Sequence, residues 1–339
     1  MIELIKKKKE WDTWVSNMDF FDFYHTYDYH TLFLEEDTEA VLIAYKEGDV
    51  QIGIPMIKRN LENGYYDLTS VHGYLGPMYK KLNPGFNNED FLGELKNLLL
   101  EKNIVSVFSK LNPYIPHQGQ ILKGCGNIEK VGELVYFLQT DSETDQYSAY
   151  NRNTRQSLKK LKKSCEVKLG DFSKDMDTFI SYYYKSLDRL KAKPRFYFKK
   201  NYFNHLAQSV FSKSEILFAV NSETQQIMAG VLVIQTNNIA QVELAFIAEE
   251  FFKCSPLRLL FDECRKRYKN MDIKVLNLGG GRGGREGSLM RFKSSFSKKY
   301  ADFQVWKYIV IPDVYHSMVS TEQKNHESNF FPKYRLKTA

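Results

Sequence analysis

The sequence predicts an α/β (α+β) protein of two similar units, each a mixed, mostly antiparallel sheet flanked by helices. Three observations lead there. Apolar runs of strand length recur through both halves, separated by stretches of helical periodicity. Each half reads as helices, a three-strand meander, a helix, a strand and a further strand, so two units are the economical architecture. The length, 339 residues, suits two domains of roughly 100–200 residues each.

In the first half, "WDTWVSNM" and "TYDYHTLFLEE" read as helices. "EAVLIAYKEGDVQIGIPMIKRN" reads as two strands around a turn at Glu47-Gly48-Asp49. "YYDLTSV" is a third strand, and "GYLGPMY" is expected to continue it after a break at Gly73. "NNEDFLGELKNLLLEKN" carries leucines at helical spacing behind Asn and Asp capping candidates. "IVSVFSKL" and "ELVYFLQT" are strands on either side of a Pro-rich loop. A polar connection, "SETDQYSAYNRNTRQSLKKLKKS", leads into a basic helix.

The second half repeats the order. "CEVKLGDF" is a strand, followed by the helices "KDMDTFISYYYKSLDRL" and "YFKKNYFNHLAQSVF". "EILFAVN", "QIMAGVLVIQT" and "AQVELAFIA" form three strands with short turns. "SPLRLLFDECRKRY" is a helix, with Ser255 at the expected N-cap and Pro256 at the first position. "IKVLNL" is a strand, "SLMRFKSSF" a short helical stretch, and "FQVWKYIVI" the closing strand. The expected divisions are 1–145 for the first unit and 146–312 for the second. The tail 313–339 is expected to pack back on the first.

Composition bounds the partners. Hydrophobic residues at 43% and aromatics at 14% support packed cores and argue against disorder. A net charge of +7 favours anionic partners such as phosphates, nucleotides, RNA or acidic membrane, without choosing among them. Cys125, Cys165, Cys254 and Cys264 lack C-x-x-C spacing and a His cluster, so reduced thiols and no metal are expected. The start, "MIELIKKKKEWDTW", has no apolar core of a signal peptide, and no run approaches the roughly 20 apolar residues of a membrane helix. The expected location is cytoplasmic, with peripheral membrane contact left open.

The glycine stretch "LNLGGGRGGREGSLMRFKSSF" matches G-x-G-x-x-G at Gly279, Gly281 and Gly284. A dinucleotide fold needs this loop after the first strand of a parallel unit, with an acid ending the next strand. Here the glycines come late, behind a meander, and Asp302 precedes a strand rather than ending one. A phosphate loop of the G-x-x-x-x-G-K-[ST] type is excluded too, because Gly287 stands too far before Lys293-Ser294. A glycine turn that serves only backbone geometry stays open.

Strand, two helices, meander, helix, strand, helix, strand is the order of the GNAT acyltransferase fold. "RNTRQSLKKLKKSCEVK", "YYYKSLDRLKAKPRFYFKKNYF", "QIMAGVLVI", "FFKCSPLRLLFDECRKR" and "NLGGGRGGREGSLMRFKSSFSKKYADF" together resemble the FemABX family of peptidoglycan-bridge aminoacyltransferases. They also resemble related acetyltransferase domains of polysaccharide-gene clusters. The resemblance covers about Tyr150 to Tyr308 and is looser over the first 140 residues. Its most telling motif is the glycine turn, a short spacer, then Phe292-Lys293.

The resemblance implies an acyl- or aminoacyltransferase with no bound cofactor. Its donor would be acyl-CoA or an aminoacyl-tRNA. The acceptor would be an amine on a cell-envelope precursor, an amino sugar or a similar molecule, nucleotide-linked or lipid-linked. Lys293 is then the catalytic cation, and Phe292 lies at the donor end. Gly279, Gly280 and Gly281 let the backbone pass close to the donor, Arg282 and Arg285 reach its phosphates, and Ser255 lies on the donor side. The helix around Tyr184, Asp188 and Arg189 resembles the acceptor-side helix, with Asp188 a candidate base. Glu243, a carboxylate inside an apolar strand, is the other candidate base. In the basic helix (Arg152, Arg155, Lys159, Lys160, Lys162, Lys163), Arg155 is the first candidate for an acceptor anion.

Two features depart from the family. The acyl-CoA pyrophosphate signature [QR]-x-x-G-x-[GA] is absent before "SPLRLLF", and "YHTLFLEED" lacks the N-terminal lysine of wall-precursor members. The first puts standard CoA binding at that loop in question, and the second weakens the case for a UDP-muramyl-peptide acceptor. A second functional class stays open on the aromatic and basic surplus, a non-catalytic protein of this fold that binds an anionic partner such as RNA or a glycan precursor.

Overall fold

The computed structural model describes residues 1–82, 85–281 and 286–338. The chain divides into two compact units, Met1–Val131 with Phe303–Ala339, and Gly132–Asp302.

The first unit holds β1 (Ile2–Ile5), β2 (Thr38–Glu47), β3 (Val50–Asn60), β4 (Tyr66–Thr69), β5 (Met78–Lys80) and β6 (Ile104–Lys110). Its helices are α1 (Lys8–Ser16), α2 (Tyr27–Thr31), α3 (Glu89–Glu101) and α4 (Gln118–Ile121). The strands β1, β2, β3 and β4 are successively antiparallel, and β6 joins β4 in parallel across the α3 crossover. The leucine stripe of α3 explains its seat. Phe91, Leu95 and Leu99 join the buried core that also holds Val41, Ile43, Ile52 and Ile54. "GYLGPMY" does not extend β4: the chain turns at Gly73 and Gly76, both at positive φ, and β5 pairs antiparallel with β3.

The second unit begins in β7 (Asn127–Leu138) and continues through α5 (Glu143–Ser148), α6 (Arg152–Ser164), β8 (Cys165–Gly170), α7 (Phe172–Arg189) and α8 (Lys200–Gln208). It goes on through β9 (Lys213–Asn221), β10 (Ile227–Thr236), β11 (Ile239–Ile247), α9 (Leu257–Lys269), β12 (Val275–Gly280) and α10 (Ser288–Lys293). Its sheet order is β7-β12-β11-β10-β9-β8, antiparallel except for the β11–β12 pair. That pair is parallel because the α9 crossover returns the chain. Alternation along β9 covers both faces. Leu217 and Ala219 join the core under α6 and α9, while Phe218 meets Phe179 of α7.

Two strands lie elsewhere than their order suggests. "ELVYFLQT", expected to close the first unit, pairs with β12 through Leu134–Leu138. The last strand, β13 (Lys299–Ile309), expected to close the second unit, pairs with β6 through Val305–Ile309. The divisions therefore fall at 131/132 and 302/303 rather than at 145 and 312. An alternating pattern fixes which face of a strand is buried, not which strand it lies beside.

The tail belongs to the first unit and carries α11 (Pro312–Met318) and α12 (Thr321–Asn325). Tyr315 and Val319 cover Val105. Asp67, fully buried, accepts from Arg59 Nε (2.7 Å), Arg335 Nε (2.6 Å) and the Tyr334 hydroxyl (3.1 Å). Among the described residues no group of three His, Cys, Asp or Glu side chains is placed to hold a metal ion. No described helix is long and apolar enough to cross a membrane.

Candidate active site

The β11–β12 pair is short, and two local devices part the strands beyond it. They pair in parallel over Ile239–Gln241 and Val275–Asn277, where Asn277 Nδ2 donates to Gln241 Oε1 at 3.1 Å. From there β11 runs on beside β10 to Ile247, and β12 runs on beside β7 to Gly280. Each strand is held from its outer side, and beyond Gln241 and Asn277 the two are not paired with each other.

On β12 the device is Asn277-Leu278-Gly279. The Asn277 Oδ1 accepts from the Gly279 N–H at 2.7 Å, and the register against β7 slips between these residues. Gly279 sits at φ 79, the left-handed region that glycine enters without steric cost. At Gly280 a Cβ would lie 2.6 Å from the Glu133 carbonyl oxygen, so the backbone approaches as only glycine permits. On β11 the device is a bulge. Val242 pairs with Val233 and Leu244 with Leu232, leaving Glu243 as the extra residue. A bulge re-aims the side chain it carries.

Lys293, at the end of α10, donates from Nζ to the Gly280 carbonyl at 3.0 Å. The residue is partly buried, but its ammonium is deeply surrounded. Desolvation pulls its pKa down to about 8, and the negative charge of Glu243 opposes that shift. Phe292, one residue earlier, packs on Phe261 and Phe296, each at 5.5 Å, and lies 5.3 Å under the Arg258 guanidinium. The short helix thus anchors itself by Phe292 and brings Lys293 to the end of β12.

Glu243 Oε1 accepts from the Tyr202 hydroxyl of α8 at 3.0 Å. The Tyr202 ring stacks on Phe198 at 4.3 Å. Tyr183 donates to the Phe196 carbonyl at 3.1 Å, and Tyr184 donates to the Phe198 carbonyl. Burial, with the Glu243 charge adding to it, raises the Tyr183 pKa.

Asp188 and Arg189 line a neighbouring cleft of about 510 Å³ with Tyr182, Lys185, Glu249 and Glu250. Asp188 accepts from the Tyr197 hydroxyl at 2.7 Å, and the Arg189 guanidinium lies 4.6 Å from the Phe252 ring. Arg155 donates to the carbonyls of Ser148 (3.2 Å) and Tyr150, closing the turn that precedes α6. Lys162 pairs with buried Asp262 at 3.0 Å. Ser255 is not an N-cap. It sits at φ 55, outside the extended geometry that capping needs, and Pro256 takes the cap position instead. Arg282 and Arg285 lie outside the described residues.

Lys293, Glu243 and the glycines Gly279 to Gly281 thus converge from residues distant in sequence. Tyr202, Gln241 and Asn277 complete the arrangement and were not legible as site residues. Tyr202 reads only as one aromatic among several in "FKKNYFNHL". A bulge leaves no mark in a single apolar run.

Residues 148–294 match the acetyltransferase (GNAT) domain family. No curated protein matches the chain by sequence. Among solved structures, FemX is similar with a TM-score of 0.69 at 13% identity, over 93% of this chain and 99% of that one. A conserved protein of unknown function from Bacteroides thetaiotaomicron gives 0.60 at 11% identity, over 91% and 100%. The C-terminal domain of a putative lysylphosphatidylglycerol synthetase from Agrobacterium fabrum gives 0.53 at 12% identity, over 81% and 85%. At such identities the likeness is one of fold. Residues 148–294 thus match the acetyltransferase (GNAT) domain family, and the chain has a fold similar to that of FemX.

Proposed function

We propose that the protein is an N-acyltransferase that moves an acyl or aminoacyl group to an amine of a cell-envelope precursor, an amino sugar or a related small molecule. The observation that carries this reading is the deeply set ammonium of Lys293 on the Gly280 carbonyl, within reach of the negative charge of Glu243.

The acceptor nitrogen attacks the donor carbonyl, and a C–N bond forms. The carbonyl π pair moves onto oxygen, and Lys293 stabilises that oxyanion. The nitrogen loses a proton as the bond forms. The tetrahedral centre collapses, the donor's C–S or C–O bond breaks, and the thiolate or ribose oxygen leaves and takes up a proton. Holding both partners in one site supplies much of the rate by orientation.

The segment between β11 and α9 bears on the donor. The N–H groups of Phe251, Ser255 and Arg258 are bonded to carbonyls within the segment, and Pro256 has none. Glu249 and Glu250 add negative charge there and Lys253 positive charge. The segment is compatible with either donor, acyl-CoA or an aminoacyl-tRNA, and the binding test below separates them.

The test is a thermal-shift screen against CoA thioesters, free CoA and charged tRNA, followed by transfer assays with any donor that binds. Transfer that survives Lys293→Ala undiminished sinks the catalytic assignment. A shift from RNA or glycan alone, without transfer, favours the non-catalytic class.

A further inference from the structure

A carboxylate displaced by a bulge gains freedom, yet Glu243 is held. Tyr202, which holds it, is 3% exposed. Its ring is fixed by Phe198, stacked at 4.3 Å and 18°, and by Phe203, edge-on at 5.3 Å and 85°. The support continues outward. The carbonyls of Phe196 and Phe198 accept from the hydroxyls of Tyr183 and Tyr184, which pins the α7–α8 connection to α7. A chain of contacts therefore runs from the α7 hydroxyls through the connecting loop to a stacked ring, and from its hydroxyl to the carboxylate.

The geometry points to Tyr202 as a positioning residue that holds Glu243 ionised and oriented as the base receiving the acceptor's proton. This rests on the acyl-transfer reading above. It prefers Glu243 to Asp188, whose carboxylate is exposed and bonded to Tyr197. The groups around Glu243 agree. Lys293 of α10 and Tyr183 of α7 both feel its charge, Tyr202 of α8 donates to it, and β10 opposes the bulge with Leu232 and Val233. A hydrogen bond to the charged form of a carboxylate favours that form. As the new C–N bond forms, the proton on the acceptor nitrogen passes to the carboxylate. When the donor's C–S or C–O bond breaks, the proton passes to the leaving sulfur or oxygen, and the carboxylate is restored.

Tyr202→Phe keeps the stacked ring and removes only the hydroxyl. The titration of Glu243 is read in the full chain, without substrate, by NMR of carboxyl-labelled glutamate, with the resonance assigned by its loss in Glu243→Gln. Tyr202→Phe is expected to raise the Glu243 midpoint about tenfold in proton affinity. The midpoint of the acid limb of kcat/KM is expected to rise with it, so that kcat/KM falls about tenfold at pH values below that midpoint. In a Glu243→Gln background the same change is expected to alter the residual rate less than twofold. An unmoved Glu243 midpoint overturns the proposal. A moved midpoint with an unmoved acid limb overturns the assignment of Glu243 as the base. Absence of transfer with every donor overturns the base role through the acyl-transfer reading itself. The NMR midpoint still shows separately whether Tyr202 governs the carboxylate.

Discussion

Lys293 Nζ reaches the Gly280 carbonyl at 3.0 Å, joining the last residue of a short helix to the last residue of the strand that precedes it. The contact closes the glycine turn at its two ends, whatever path the chain takes between them. A cation sits where β12 has parted from β11, and the protein bears the desolvation that comes with it.

The first prediction concerns pH. Lys293 has a folded pKa of about 8, below the ordinary lysine value of 10.5. If the protonated amine stabilises the oxyanion, kcat falls roughly tenfold per pH unit above about 8. A rate that climbs through the same window would mean that Lys293 acts as a base.

Lys293→Met removes the buried charge. It is expected to lower transfer by roughly 10²–10³ while raising stability at pH 7 by about 1–2 kcal/mol. Chemical denaturation checks the second effect. A less stable variant would show that the ammonium is not under a desolvation load.

Gly280→Ala places a methyl group against the Glu133 carbonyl, which must then move. Overpacking of this kind costs about 1–3 kcal/mol. Transfer is expected to fall more than tenfold, because the Gly280 carbonyl also anchors Lys293. Unchanged thermal midpoint and unchanged rate together would refute the close approach.

Acid stability tests the first unit. His25 and His30 are fully buried, and burial lowers their pKa values to about 4 and about 3. The Asp22 N–H donates to His25 Nδ1 at 3.0 Å, which fixes a neutral ring. The unfolded chain binds protons at these rings below about pH 6.5, and the folded chain does not until about pH 4. Stability therefore falls as pH drops through that window, by about 2 kcal/mol per histidine between pH 6.5 and 5. Urea midpoints at pH 7 and pH 5 measure it, and His25→Gln is expected to flatten the slope.

The tail gives a further test. Arg335→Met removes one of the two arginines on buried Asp67 and leaves Arg59. A loss of about 1–3 kcal/mol is expected in the unfolding free energy. No loss would show that Arg59 and the Tyr334 hydroxyl satisfy the carboxylate without Arg335.

Much of this protein is local, and local features are legible in a sequence. Apolar alternation and turn residues place β2, β3, β9, β10 and β11, and the leucine stripe places α3. The Phe-Lys pair beyond the glycines singles out Lys293 only through the family resemblance. Other features depend on what lies across a gap rather than along the chain. Which sheet receives β7 and which receives β13 is a choice of partner. That Lys162 belongs to Asp262, and Arg155 to backbone carbonyls, shows only when the helices are packed. The bulge that displaces Glu243 arises from a mismatch of one residue between two paired strands, and neither strand records it alone. The elements, their order and the place of a lysine beyond a glycine turn are thus written along the chain. Which strands meet, and so which carboxylate and which tyrosine stand beside that lysine, follows from packing, since pairing and burial arise only between segments.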